Sequence, residues 1–447
     1  MQVTQKGRQG GFTSEPSWPL VVLAASIMMP RELSFKIGEL SIYADRAVLL
    51  AFTPMLLHKL LNGSLRLRLP DGLIFFAYLW TIFSLSQFYD FGRVAQSGGS
   101  LMFDAMASYL LARAGITDVR DLRVTLIRLS PVIFAIGLIL AIESITSTPL
   151  IRPFFSAVFG GVDSQIVDGR AALQGQNQYR FGLLRATGPF VHPILAGLTV
   201  GVFFTLFLLS GLRGWPKTIG VIGSLAGVFT GSSAALLMLA SGFAIKLTDV
   251  AVKNISSLRW THLFSIAAVA IFAIEVFSQN GFISVASRYA SLNSSTAYYR
   301  LLIWDYGSAS VANAPLFGIG FSDWVRPSWL YSSTVDNHWL LLAMRFGIIT
   351  PTILLLVIVF TCISLIKKSA TCPAVDRSAY IAITSALAVY TLLAWTVALF
   401  GSSSNLLMLL LGTAVSLSSK MHGEVQAVRK AFDRLRRTSR SRKPEAA

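Results

Sequence analysis

Acidic residues are scarce in this chain. Asp and Glu number 21 in 447 residues, against 38 Lys and Arg. Charge of both signs reaches only 13%, where a soluble domain carries about 25%. That deficit excludes an ordinary soluble globular protein. Cysteine is nearly absent: Cys362 and Cys372 are the two, and both fall near a stretch assigned below to the cytosol, so a disulfide framework is excluded. The five histidines are scattered at 58, 192, 262, 338 and 422, with no metal-ligand spacing among them. No glycine-rich phosphate loop follows a strand, which removes the nucleotide-binding classes. No cleavable leader precedes the first apolar run, Trp18 to Met29. No internal repeat stands out.

What is there is apolar. Hydrophobic residues make up 54% of the chain, and mean hydropathy is +0.63. Stretches approaching the length of a membrane crossing, about 20 residues, lie at 17–30, 47–61, 71–88, 98–113, 124–146, 189–211, 217–230, 232–247, 260–277, 338–366, 379–399 and 402–418. Lipid cannot satisfy a bare backbone, so each must be a helix. The expected fold is all-α: a polytopic integral membrane protein with about 12 transmembrane helices in a single unit over 17–418. Residues 1–16 form an N-terminal tail and 419–447 a basic C-terminal tail.

Basic residues orient the spans. The C-terminal tail is rich in them, and short connections carry Arg66 and Arg68, Arg120 and Arg123, Arg213 and Lys217, Lys253 and Arg259, and Lys367 and Lys368. With twelve spans all of these fall on one side, which the positive-inside rule makes cytosolic. Both termini are then cytosolic. The positive excess sets topology or meets anionic lipid, and it does not call for nucleic acid.

Two long stretches remain outside, 147–187 and 278–336. Their basic residues are Arg152, Arg170, Arg180, Arg185, Arg288, Arg300 and Arg326, and none is Lys. Topology depletes both residue types equally, so the retained arginines need another cause. Arginine is suited to bidentate recognition of phosphate. The competing reading is pairing with Asp163, Asp168, Asp305, Asp323 or lipid headgroups.

Three segments hold polar groups at the outer boundary. In SSTVDNHWLLLAMRFG (332–347), Asp336, Asn337 and His338 precede an apolar run. Asp336 is placed to cap a helix that starts at Asn337. Arg345 lies two turns after His338 on the same face, roughly two turns into the membrane, where a cation marks a site by default. In LRATGPFVHPI (184–194), Gly188, Pro189 and Pro193 break regular helix, and Arg185 and His192 flank the break. In YRLLIW (299–304), Arg300 and Trp304 share a helix face. PLFGIGF (315–321) follows, and its Gly-x-Gly is a weak nucleotide signal. Trp304, Trp324, Trp329 and Tyr331 suit either an interfacial belt or stacking on sugar rings.

In this order, LRATGPFVHPILAG (184–197), TGSSAALLMLA (230–240), YRLLIWDYG (299–307), PLFGIGFSDW (315–324) and DNHWLLLAMRFGIIT (336–350) resemble the O-antigen ligase/polymerase superfamily of bacterial membrane proteins. The likeness is greatest to exopolysaccharide polymerases, and it covers about 180–350. It implies a multi-pass inner-membrane glycosyltransferase facing the periplasm. The donor would be an undecaprenyl-diphosphate-linked oligosaccharide, with no metal or cofactor. The family's late motif begins with His-Asn and has Glu nine residues later. Here Asp336-Asn337 and Arg345 stand in those places, which favours a polymerase over a ligase.

The resemblance implies that Arg185 and Arg300, with Arg288, hold the donor diphosphate. His192, Trp304 and Asn337 would line the substrate site. Asp336 or His338 would take the proton of the incoming hydroxyl, with Arg345 holding Asp336 or a second phosphate. The expected activity is polymerisation of lipid-linked repeat units. The alternatives are an O-antigen ligase acting on lipid A core and, from a different class, a lipid-oligosaccharide flippase. The expected partners are the lipid-linked oligosaccharide and the bilayer, and a chain-length-regulating copolymerase stays open.

Overall fold

The computed structural model describes residues 18–37, 40–160, 179–255, 260–278, 281, 285, 288 and 294–418. Arg170, Asp163, Asp168 and both tails lie outside the described residues. About 75% of the described chain is helical. The apolar sequence dictates this, since a helix satisfies its own backbone without water.

Every apolar stretch falls on a helix. In chain order these are α1 (Trp18–Ile27), α2 (Ala44–Leu61), α3 (Leu69–Leu85), α4 (Phe91–Gly115) and α5 (Val119–Thr146). A short helix α6 (Ile151–Phe159) precedes α7 (Pro193–Leu209) and α8 (Trp215–Leu225), which tightens into a 3-10 turn, Ala226–Thr230. Then come α9 (Ser233–Asn254), α10 (Trp260–Phe277) and α11 (Ser294–Asn313). Helices α12 (His338–Phe346), α13 (Ile349–Thr371), α14 (Ala374–Leu393) and α15 (Ser402–Ser418) complete the order. Two antiparallel hairpins interrupt it: β1 (Ser34–Ile37) with β2 (Leu40–Tyr43), and β3 (Tyr179–Arg180) with β4 (Leu183–Leu184).

Among the described residues, three helices are long and apolar enough to cross a membrane, Val119–Thr146, Ser233–Val252 and Ile349–Thr371. Trp18–Ile27, Leu69–Leu85, Pro193–Leu209, Ala268–Phe277 and Ser402–Ser418 are apolar but shorter. These helices mark a membrane protein. The innermost is α7, with 15 buried residues of its 17, packed against α8, α9 and α14. A helix apolar all round belongs at such a centre. Helices α5 and α8 meet at Gly137 and Gly223, where a Cβ on either would overlap backbone of the other helix. This is the close approach that small residues permit between membrane helices.

One expected element is corrected. The run 338–366 is not one helix. It breaks at Gly347, whose φ of +78° closes α12 before α13 begins. The break is fixed by the PLFGIGF turn. Ile319 N–H donates to the Met344 carbonyl (2.7 Å), Gly320 N–H to that of Arg345 (3.1 Å), and Ile348 N–H to that of Pro315 (2.9 Å). Gly318 and Gly320 have φ of +65° and +62°, and a Cβ on Gly318 would overlap the carbonyls of Met344 and Arg345. The Gly-x-Gly segment therefore caps the C-terminus of α12. Arg345 lies in the last turn of a nine-residue helix, ahead of the membrane-length one.

The connections gather into two sets. In one, Arg113 is ion-paired to Asp71, which also accepts from Tyr109 (2.5 Å), and Arg113 reaches the Arg66 carbonyl (3.2 Å). Arg123 bonds the Ser210 carbonyl (3.1 Å) and faces Asp376 (3.5 Å), and Lys368 bonds the Leu417 carbonyl (2.7 Å). Half-buried Cys372 belongs to this set. The other set joins 31–45, 143–152, 180–188, 229–232, 300–338 and 394–405. Its members include Arg152–Glu32 (2.8 Å), Asn405–Asp45 (2.9 Å) and His338 N–H to the Ala394 carbonyl (2.8 Å).

Candidate functional site

Glu143 is the anchor from which the site is built. It lies near the end of α5, 1% exposed. A buried carboxylate needs donors, and four backbone N–H groups supply them. Leu150 (2.9 Å) and Ile151 (3.4 Å) donate to Oε1, while Thr187 (3.2 Å) and Gly188 (2.7 Å) donate to Oε2. Both ends of the 147–187 stretch are thereby tied to one side chain. Next door, Ser144 Oγ donates to the Leu184 carbonyl (2.8 Å), and Ala186 N–H donates to that of Phe229 (3.1 Å). Arg185 is therefore held by a fixed point on either side.

Arg185 is buried, and its Nε donates to the Thr230 carbonyl (3.4 Å). Arg180, on the β3–β4 hairpin, donates from Nη1 to the Gly231 carbonyl (2.7 Å). The two guanidinium groups thus grip consecutive carbonyls just before α9. Gly231 adopts φ +55°, with Arg185 Cγ 3.2 Å from where a Cβ would stand. Ser232 follows it, 1% exposed, with no hydrogen bond to its Oγ. Its side chain does not cap α9, so the helix N-terminus presents donors and positive dipole toward the arginines.

Arg300 joins this group from α11. It is 7% exposed. Burial disfavours its charge, Asp336 supports it, and Arg180 opposes it. Arg185 is pushed down to about 10 by burial first and by Arg180 second. Arg180 is lowered by burial. Three arginines from two distant stretches therefore share one electrostatic neighbourhood, with Asp336 as the acid beside Arg300. An anion entering it would offset the cost of three crowded, partly desolvated cations.

The other external arginines divide cleanly. Arg152 pairs with buried Glu32. Arg326 pairs with Asp323 and donates to the Leu330 carbonyl (2.9 Å). Arg288 is exposed, with no contact to the cluster among the described residues.

The remaining candidates have structural partners. Asn337, not Asp336, caps α12: its Oδ1 accepts from Leu340 N–H (3.0 Å), and the helix starts at His338. Asp336 is left half-exposed to face Arg300. His192 caps α7, its Nδ1 accepting from Ile194 N–H (3.1 Å). It is a positioning residue for the broken segment. His338 is buried, with no hydrogen-bond partner at Nδ1. Arg345 lies over the Phe321 ring at 5.5 Å. Trp304 packs on Trp395, ring centres 6.2 Å apart.

Sequence reasoning passed over Arg180, Glu143 and Ser232 as site residues. Arg180 stood among the external arginines without distinction. Glu143 carried a signal, an acid in an apolar span. Ser232 lay within the TGSSAALLMLA stretch (230–240) but carried no role there.

Neither a family model nor a curated protein matches this sequence.

Proposed function

We propose that this protein is a membrane glycosyltransferase that polymerises repeat units carried on undecaprenyl diphosphate, in exopolysaccharide or O-antigen biosynthesis at the periplasmic face of the bacterial inner membrane. One observation carries the reading: Arg180 and Arg185 hold the carbonyls just before the open N-terminus of α9, and Arg300, with Asp336 beside it, shares the charge field of Arg180. Such a cluster is built for a multiply charged anion, and a guanidinium fork matches a diphosphate. In glycosyl transfer from a diphosphate, negative charge grows on the leaving group as the sugar C1–O bond breaks. Fixed cations placed there lower the barrier. Asp336, partly open to the outside, takes the proton of the attacking sugar hydroxyl. The separation of connections into two sets supports a twelve-span topology with both termini in the cytosol.

The test uses a strain that makes the cognate polysaccharide. Arg300→Ala and Arg300→Lys replace the wild type, and undecaprenyl-linked glycans are analysed. Single repeat units accumulating outside the membrane, at unchanged protein level, are expected from both variants. Repeat units held on the cytosolic face would mean a flippase. Long lipid-linked chains unattached to core would mean a ligase. Normal polymer from both variants would sink the diphosphate assignment.

A further inference from the structure

A cleft of about 730 Å3, lined by none of the three clustered arginines, lies between the β2–α2 corner and the first turns of α4. That volume is within the range of small-molecule sites, about 300–1,000 Å3. Its chemistry differs from that of the cluster. Arg46 is neutralised by two hydrogen bonds to Asp104 (2.9 and 2.6 Å). Arg93 shares the wall with Asp90 and lies over the Tyr89 ring at 4.4 Å. By formal charge two cations are matched by two acids, Asp104 ion-paired to Arg46 and Asp90 beside Arg93 in the wall. The rest of the wall is mainly hydroxyl and amide, together with the Tyr43 ring and Gly92. The side chains of Ser41, Gln96 and Ser97 line it and make no hydrogen bond within the described protein. Their donors and acceptors are available to a ligand.

The cleft is also mechanically joined to the candidate site. Tyr89 carries Arg93 on its face, accepts a hydrogen bond from Phe321 N–H (2.8 Å) and packs on the Phe321 ring at 5.7 Å. Phe321 in turn lies under Arg345 at the end of α12. The start of α12 adjoins Asp336, and a nine-residue helix is about 14 Å long.

We propose that this cleft binds a neutral, polyhydroxylated chain, the phosphate-free part of an oligosaccharide whose charged end belongs at the arginine cluster. The ligand's identity as glycan rests on the function proposed above, whereas the cleft's preference for neutral hydroxyl-rich ligands rests on its own wall.

The test takes full-length protein in lipid nanodiscs. The probe is a set of phosphate-free oligosaccharides made by partial acid hydrolysis of the host cell's surface polysaccharide. Saturation-transfer NMR reports their binding. Wild type is expected to bind. A Gln96→Ala, Ser97→Trp double variant, which removes an amide and fills the cleft, is expected to bind at least about tenfold more weakly with an unchanged melting temperature. Should the double variant prove unstable, Gln96→Ala alone is expected to weaken binding several-fold. Arg300→Ala is expected to leave this binding intact while losing polymer. Oligosaccharide binding that is absent in wild type, or unaffected by the cleft variants, overturns the proposal. So does displacement of the oligosaccharide by a soluble phosphocholine headgroup, which would make the cleft a lipid site. If Arg300→Ala still makes polymer but the cleft variants lose the oligosaccharide, the proposed reaction falls and the carbohydrate cleft stands.

Discussion

Arg185 sits between two pinned carbonyl and amide contacts, so its guanidinium is delivered to one place. A lysine there keeps the charge and loses the fork. Charge-assisted hydrogen bonds contribute about 1.5–3 kcal/mol each, so Arg185→Lys is expected to weaken binding of a soluble polyprenyl-diphosphate analogue by about tenfold or more in calorimetry. Equal affinity would remove Arg185 from the clamp. Asn337 acts on stability. Asn337→Ala should cost about 1 kcal/mol through the lost cap, seen as a lower melting temperature, while Asn337→Asp keeps the acceptor and most of the stability. At this scale the sequence was partly readable. It singled out the external arginines, because lysine is missing around them. It did not separate Arg152 and Arg326, held by nearby acids, from Arg180, Arg185 and Arg300, because pairing depends on which distant segment folds alongside. The cap was misplaced by one residue for a similar reason. Asp336 and Asn337 are both good caps, and only the backbone fixes which is the last extended residue.

Among the elements, the α12–α13 break is the most sensitive to substitution. Adding a Cβ at Gly347 would drive it into the Leu316 backbone, and φ of +78° is strained for any other residue. Gly347→Ala should therefore lower the melting temperature far more than Gly63→Ala, where φ is +70° but nothing lies within 4 Å. Comparable losses would mean that the turn does not brace α12. Glu143 is the second control point. Glu143→Gln halves the acceptor capacity facing four N–H groups, so it should cost about 2 kcal/mol or more and also weaken diphosphate binding through Arg185. An effect on stability alone would separate the anchor from the clamp. Hydropathy located each apolar helix but did not see the break, because the run from Trp339 onward is apolar on both sides of it. Only the positive-φ glycines and the PLFGIGF turn mark it, and their pairing is tertiary.

Across the whole molecule, sidedness is a property that local charge in short loops can predict from sequence, whereas the arginine cluster needs two distant stretches to meet. The scarcity of cysteine acquires a practical meaning here. Cys362 lies within α13 and Cys372 just beyond it, both half-buried. Burial and then the Asp376 carboxylate push the Cys372 thiol up, so little thiolate is present near neutrality and alkylation there is slow. The native chain is therefore a quiet background for single-thiol labelling. A cysteine at Phe181 or Tyr331, 78% and 89% exposed, should react with a membrane-impermeant maleimide on intact spheroplasts. One at Leu67, 67% exposed, should react only after the membrane is opened. The reverse pattern would turn the protein over in its bilayer, and the arginine cluster would then face the cytosol.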